Sequence, residues 1–307
     1  MRLEGVHHVT AITGDAPGNV DFYARVLGLR LVKKTVNQDD PTVYHLFFAD
    51  ERGSAGSDIT FFEYPGARPG RPGAGMVHLV TWRVASEEAL DFWEGRLGAE
   101  DVSAERSPRR LRFRDPEGLG LELEVVETAD EPLVARHPEI APEDALQGFH
   151  GVRAYADDAE RSRALLEQGL GFERRDEGWE MRGDRRGGLY AYDAPPPERG
   201  IAGGGTVHHV AWAASLDEHP AWGSRVAAAG ARPTPVIDRF YFRSIYFREP
   251  SGVLFEIASL GPGFATDEPL EHLGERLSLP PAYEPLRARL EGRLTPLPDP
   301  RADWALR

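Results

Sequence analysis

Two adjacent imidazoles on an apolar strand are an unusual use of sequence, and this chain does it twice, in Gly5-Val-His-His-Val-Thr10 and in Thr206-Val-His-His-Val-Ala211. Two weaker echoes lie between them. Gly75-Met-Val-His-Leu-Val80 and Gly148-Phe-His-Gly-Val-Arg153 keep the first His, as His78 and His150, but carry Leu79 and Gly151 at the second position. A matching signal closes the repeats: Glu122 and Glu256 each fall four residues after a turn glycine, Gly118 and Gly252. Only the last repeat therefore has both a second-position His and this Glu. If the first and last repeats pair, His8 comes opposite His209 and Glu256 completes two His and one carboxylate. On one face of a metal, such a set leaves open positions, as a non-haem Fe(II) centre activating O2 requires, whereas a structural site is closed. The chain has no cysteine, so any metal must be held by His, Asp or Glu.

Side chains alternate across a strand, so His7 and His208 are expected to point away from their neighbours, toward the ligand surroundings or the substrate, as proton carriers. Downstream, Asp238 to Pro250 is dense in Arg and Tyr. Tyr246 precedes Glu256 by one turn, and an antiparallel pair would bring it beside the ligand as a donor to a bound phenolate; Arg239 would fix the negative charge. Arg243 and Arg248 read as outward-facing. Glu63, in Thr60-Phe-Phe-Glu-Tyr64, is the rival carboxylate and would make a fourth ligand. His78 and His150 read as hydrogen-bonded core residues, and Glu122, opposite Leu79, as the trace of a lost site.

These residues need a repeated scaffold. Each unit opens with a short apolar strand carrying His, passes into an amphipathic helix, and returns through strands. In the first unit the helix is expected over 16–27, ended by Gly28, with strands over 29–35, 42–49 and 57–64. Four βαβββ modules are expected, at 1–66, 75–127, 148–194 and 205–259, with a polar linker at 128–147 and a tail at 260–307. The fold class is α+β, the modules forming two curved mixed-sheet barrels with a C-terminal extension. The tail would wrap the surface, help close a pocket or meet a second subunit of a homo-oligomer.

Composition narrows the classes further. A net charge of −14 disfavours a sequence-independent hold on nucleic acid. No run approaches the roughly 20 apolar residues of a membrane span, and a strand-like segment begins at once, so neither a membrane protein nor export is expected. The expected location is the cytoplasm. No Gly-x-Ser-x-Gly elbow or phosphate-loop pattern is present.

On the His doublets together with Arg239, Ser-Ile-Tyr-Phe-Arg248 and Leu254-Phe-Glu-Ile257, the chain resembles the vicinal oxygen chelate superfamily, and within it the ring-cleaving dioxygenases that open hydroquinones. The likeness runs to Leu260, and Gly261-Pro-Gly-Phe also looks like that family. It implies that His8, His209 and Glu256 bind Fe(II), with Mn(II) as the alternative ion, and that His7, Thr10, His208, Arg239 and Tyr246 are the pocket positions. The expected function is an Fe(II)-dependent ring-cleaving dioxygenase acting on a hydroquinone-like aromatic with O2. A glyoxalase-type isomerase or lyase, using Glu63 as ligand and base, and a metal-free binding protein of the same fold are the alternatives.

Overall fold

A computed structural model describes residues 1–302 and Trp304. The first repeat supplies β1 (Leu3–Thr13), β2 (Arg30–Val36), β3 (Tyr44–Ala49) and β4 (Asp58–Glu63). The second supplies β5 (Val77–Val84), β6 (Ala104–Ser107), β7 (Arg110–Arg114) and β8 (Gly120–Val125). The third contributes β9 (Phe149–Tyr155), β10 (Glu173–Arg175), β11 (Gly178–Arg182) and β12 (Gly187–Asp193), and the fourth β13 (Val207–Ala214), β14 (Ile237–Asp238), β15 (Phe242–Arg248) and β16 (Leu254–Pro262).

The strands form two mixed sheets of eight. One runs β14-β15-β16-β13-β1-β4-β3-β2, and the other β10-β11-β12-β9-β5-β8-β7-β6. The sheets therefore do not follow the chain halves: the first and fourth repeats share one sheet, joined by antiparallel pairing of β1 and β13, and the second and third share the other through β5 and β9. Each doublet is preceded by a glycine in the left-handed region, Gly5 within β1 at φ +81° and Gly205 just before β13 at φ +76°. A Cβ on Gly205 would also lie 2.1 Å from the Glu117 carbonyl oxygen, so glycine is required there on both counts.

The connecting helices follow the sequence closely, with local differences in winding. Ala16–Val20 is α-helical, started by the Asp15 side chain accepting from the Gly18 amide, and Asp21–Val26 continues it as a π-helix before Gly28. The longest helix, Glu87–Ala99, is capped by Ser86 and buries Leu90, Trp93 and Leu97. His219–Ala228 buries Trp222 and Val226. The third repeat has only a 3-10 turn (Ala159–Ser162) and a π-helix (Leu165–Leu170). Trp82 and Trp212, at matching places on β5 and β13, are fully buried in the shared core, where truncating one would cost about 3–5 kcal/mol. Among the described residues, no helix is long and apolar enough to cross a membrane.

In the tail, the amphipathic stretch 283–294 is helical only over Glu284–Leu286 and Arg287–Glu291. Its anchor to the sheet is Lys33 of β2. That fully buried ammonium donates to the Phe264 carbonyl at 3.1 Å, to Asp267 at 2.8 Å and to Glu268. Phe264 packs on Phe47 and the Tyr241 hydroxyl donates to Asp267, so the tail backs residues that line the cavity described next.

Candidate metal centre

The β1–β13 seam carries three register shifts, and two of them decide where the histidines go. Val6 pairs with Trp212 and His8 with Ala211, which leaves His7 as the extra residue on β1. Further along, Thr10 pairs with His209 and Ala11 with Val207, which leaves His208 as the extra residue on β13. Bulges bend a strand and re-aim a side chain. They remove the strict alternation on which the sequence reading relied, and adjacent imidazoles can meet. His7 Nδ1 lies 2.9 Å from His8 Nδ1, and His208 Nδ1 lies 2.8 Å from His209 Nδ1.

The register also corrects one detail: His8 is opposite Ala211, not His209. The two rings approach diagonally instead, with Nε2 atoms 3.2 Å apart. Glu256 of β16 pairs in parallel with Ala211 and so arrives at the same point, its Oε2 2.9 Å from His209 Nε2 and 3.2 Å from His8 Nε2. Among the described residues these three form a group able to hold a metal, and all are buried. Both Glu256 oxygens lack a hydrogen-bond donor although the carboxylate is fully buried. An unsatisfied buried anion is costly unless something else satisfies it.

The donor spacing fits an ion. Ligands at adjacent corners around a metal bonded at about 2.1 Å stand about 3 Å apart, which matches the 2.9–3.2 Å separations. Protonation agrees. Burial, against the pull of Glu256, lowers the pKa of His209, and burial together with His8 lowers that of His7 to about 3. Burial pushes the Glu256 carboxyl up, but the imidazoles of His8 and His209 facing it outweigh that and hold it well below the usual range. Neutral imidazole and ionised carboxylate are the forms that bind metal.

Glu63 does not join this cluster. Parallel pairing of β1 with β4 places Thr60 opposite Thr10, two residues beyond His8, just as Glu256 is opposite Ala211, two residues beyond His209. Thr60 is thus the first repeat's counterpart of Glu256. Glu63 lies three residues further on, an odd step that turns it to the other face, and its Oε1 accepts from Thr295 at 2.7 Å. In the other sheet the counterpart is Glu122, beside Thr81, with Leu79 and Gly151 in place of the second histidines. There Arg112, register partner of Glu122 as Tyr246 is of Glu256, donates to the carboxylate, so an ion pair stands where the first sheet gathers ligands. His78 stacks on Tyr155 and hydrogen-bonds Asp193 at 2.9 Å, clear of any such cluster.

A cavity opens onto the three donors, with Phe47, Phe62 and Phe242 as aromatic wall and Thr35, Asn37, His45, Arg239, Tyr241 and Tyr246 as polar wall. Tyr246 sits with its ring 5.7 Å from that of His209. Burial, reinforced by Glu256, raises its pKa, so its hydroxyl remains a donor. The Arg239 guanidinium lies 5.5 Å from the Tyr246 ring centre, but its fork already bonds exposed Asp39 at 2.9 and 3.0 Å. His7, His208 and Thr10 do not line the cavity. His7 is buried behind His8, packed on Phe242; His208 is exposed behind His209; and Thr10 Oγ1 bonds Thr60 Oγ1 at 2.7 Å. Arg243 and Arg248 are exposed.

His45 was missed by sequence reasoning. It is a single imidazole on β3 with no doublet and no repeat counterpart, and only the alternation His45, Phe47 hinted that it shares a face with the cavity's aromatics. Its Nε2 lies 2.9 Å from Thr60 Oγ1.

A fold of two repeat-built sheets, with a two-His, one-Glu cluster at the seam of one, defines a class. The chain matches the pattern of the Glyoxalase/Bleomycin resistance protein/Dioxygenase superfamily over residues 5–123 and 148–257, and it belongs to that family. Its relatives are more specific. It is 44% identical, over 96% of its length and 97% of theirs, to the Bacillus subtilis "Putative ring-cleaving dioxygenase MhqO". It is 34% identical, over 94% of this chain and 95% of that one, to the chlorohydroquinone/hydroquinone 1,2-dioxygenase of Sphingobium indicum. A crystal structure described as a "putative dioxygenase" from Bacillus subtilis superposes with a TM-score of 0.89 at 42% identity, covering 97% of this chain and 98% of that one.

Proposed function

We propose that the protein is an Fe(II)-dependent ring-cleaving dioxygenase acting on a hydroquinone-like aromatic, with His8, His209 and Glu256 as the iron ligands. The observation that carries the reading is the convergence of those three donors, 2.9–3.2 Å apart, at one end of an aromatic-walled cavity. The relative named as a hydroquinone dioxygenase supports the substrate class. Bound there, the iron supplies the electronic path by which O2 reacts with an aromatic ring.

The chain's own residues do the rest. His7 and His208 accept Nδ1–H from His8 and His209, which fixes the tautomer that turns each Nε2 lone pair toward the metal. Tyr246 donates to the substrate oxygen nearest the ligands. Arg239 adds positive charge once that oxygen is ionised, and Phe47, Phe62 and Phe242 hold the ring and exclude water. Mn(II) would satisfy the same donors. The isomerase reading depended on Glu63, which the fold turns away from the cluster and engages with Thr295.

The test is anaerobic Fe(II) loading followed by oxygen uptake with hydroquinone, catechol and gentisate. Uptake with hydroquinone, abolished in His209→Ala together with bound iron, is expected. Iron retained with no uptake on any of the three would refute the reaction, and full iron binding by His209→Ala would refute the ligand set.

A further inference from the structure

The hydrogen bonds around His45 lead from the cavity wall into the sheet and stop there. His45 Nε2 bonds Thr60 Oγ1 at 2.9 Å, and Thr60 Oγ1 bonds Thr10 Oγ1 at 2.7 Å; both threonines are fully buried. The ring is also held on its faces, with Phe47 at 4.0 Å and Phe62 at 4.4 Å between ring centres. The imidazole is therefore fixed in orientation by one nitrogen and two aromatics. Its other nitrogen, Nδ1, has no hydrogen-bond partner among the described residues, while the side chain borders the cavity.

Such a group has a defined appetite. Depending on which way the Thr60 and Thr10 hydroxyls point, Nδ1 presents either a lone pair or an N–H. A hydroxyl satisfies both cases, because it donates and accepts, whereas an ether or carboxylate satisfies only one. The oxygen of a substrate nearest the ligands is already served by Tyr246 and Arg239. We propose that His45 is a specificity-determining residue that hydrogen-bonds a second, remote hydroxyl of the aromatic substrate and so selects dihydroxylated rings over simple phenols. This rests on the ring-cleaving reading, since it takes that reading's orientation of the ring.

Equilibrium binding separates the two claims, because it does not depend on turnover. The Fe(II)-loaded full chain is titrated anaerobically with hydroquinone and with phenol, which differ by that hydroxyl alone, and the ratio of the two Kd values is recorded. Wild type is expected to favour hydroquinone. In His45→Phe the preference should fall about three- to tenfold, the range of one neutral hydrogen bond, with phenol affinity little changed. Thr60→Val, which leaves the wall intact but frees the ring, should reduce the preference in the same direction and by less; it serves as the test if His45→Phe does not fold. A hydroquinone-to-phenol ratio unchanged in the folded variants overturns the role of His45 and leaves the ring-cleaving reading standing. Failure of loaded wild type to bind either compound overturns both.

Discussion

Replacing His7 by Phe tests whether the first histidine of the doublet serves the metal rather than the substrate. The substitution keeps an aromatic ring against Phe242, 5.4 Å away, and removes both ring nitrogens: the one that faces His8 Nδ1 at 2.9 Å, and with the other the ring's hydrogen bond to the Ser259 backbone. Without that acceptor, His8 has no described partner to hold its proton on Nδ1, and the tautomer with its lone pair on Nε2 is no longer favoured. Loss of such a partner typically costs 10–100-fold in metal affinity, which is about 1.4–2.7 kcal/mol. His208→Phe deletes a bond of nearly equal length, 2.8 Å, but on an exposed residue where water can replace the acceptor. Its effect should therefore stay under about tenfold. The assay is an anaerobic Fe(II) titration against a competing chelator. Thermal melts run alongside, since the ion's stabilisation shrinks in step with affinity. Iron binding by folded His7→Phe within twofold of wild type, or a greater loss in His208→Phe than in His7→Phe, would refute the argument.

Other outcomes follow from groups outside the cavity. Burial, with Arg83 and Arg110 adding to it, lowers the His150 pKa to about 4. The folded state thus leaves this imidazole neutral where the unfolded chain protonates it, near pH 6.5, so stability is lost as pH falls from about 6.5 toward 4. The contribution to the slope is at most about 1.4 kcal/mol per pH unit, and urea melts of His150→Phe between pH 7 and 5 should show a shallower fall than wild type. Lys33→Met should destabilise by about 3–5 kcal/mol in chemical denaturation, because it takes the buried ammonium from Glu268 and leaves that carboxylate only the more distant Arg276, 3.9 Å away; a change under about 1 kcal/mol would mean the tail is not anchored there. His78→Ala should alter stability alone, with iron content by metal analysis equal to that of wild type.

The repeats, their opening strands and closing glutamates were legible because each is a local signal copied several times. The winding of the helices was less so: the pattern over 16–27 marks a helical stretch, but π-helical turns over Asp21–Val26 come from packing, to which a 3.6-residue period is blind. Glu63 looked like a ligand because sequence distance along a strand says nothing of register. Only the pairing of Thr10 with Thr60 shows that a threonine occupies the place in question. His45 was illegible for the opposite reason. Its chemistry depends on β3 lying beside β4, and nothing within its own strand announces that neighbour.

By itself, then, the sequence determined the kinds of donor available, their repetition, and the absence of cysteine ligands; these are properties of residue type and spacing. The tertiary structure decided which copies meet. Pairing the first repeat with the fourth, across 201 positions from His8 to His209, brings two second-position histidines to one seam, while the seam of the second and third repeats has Leu79 and Gly151 in those places and the second repeat's Glu122 is held by its own Arg112. It also decided the orientation of each imidazole, because a bulge is a mismatch between two strands and exists only once they are paired.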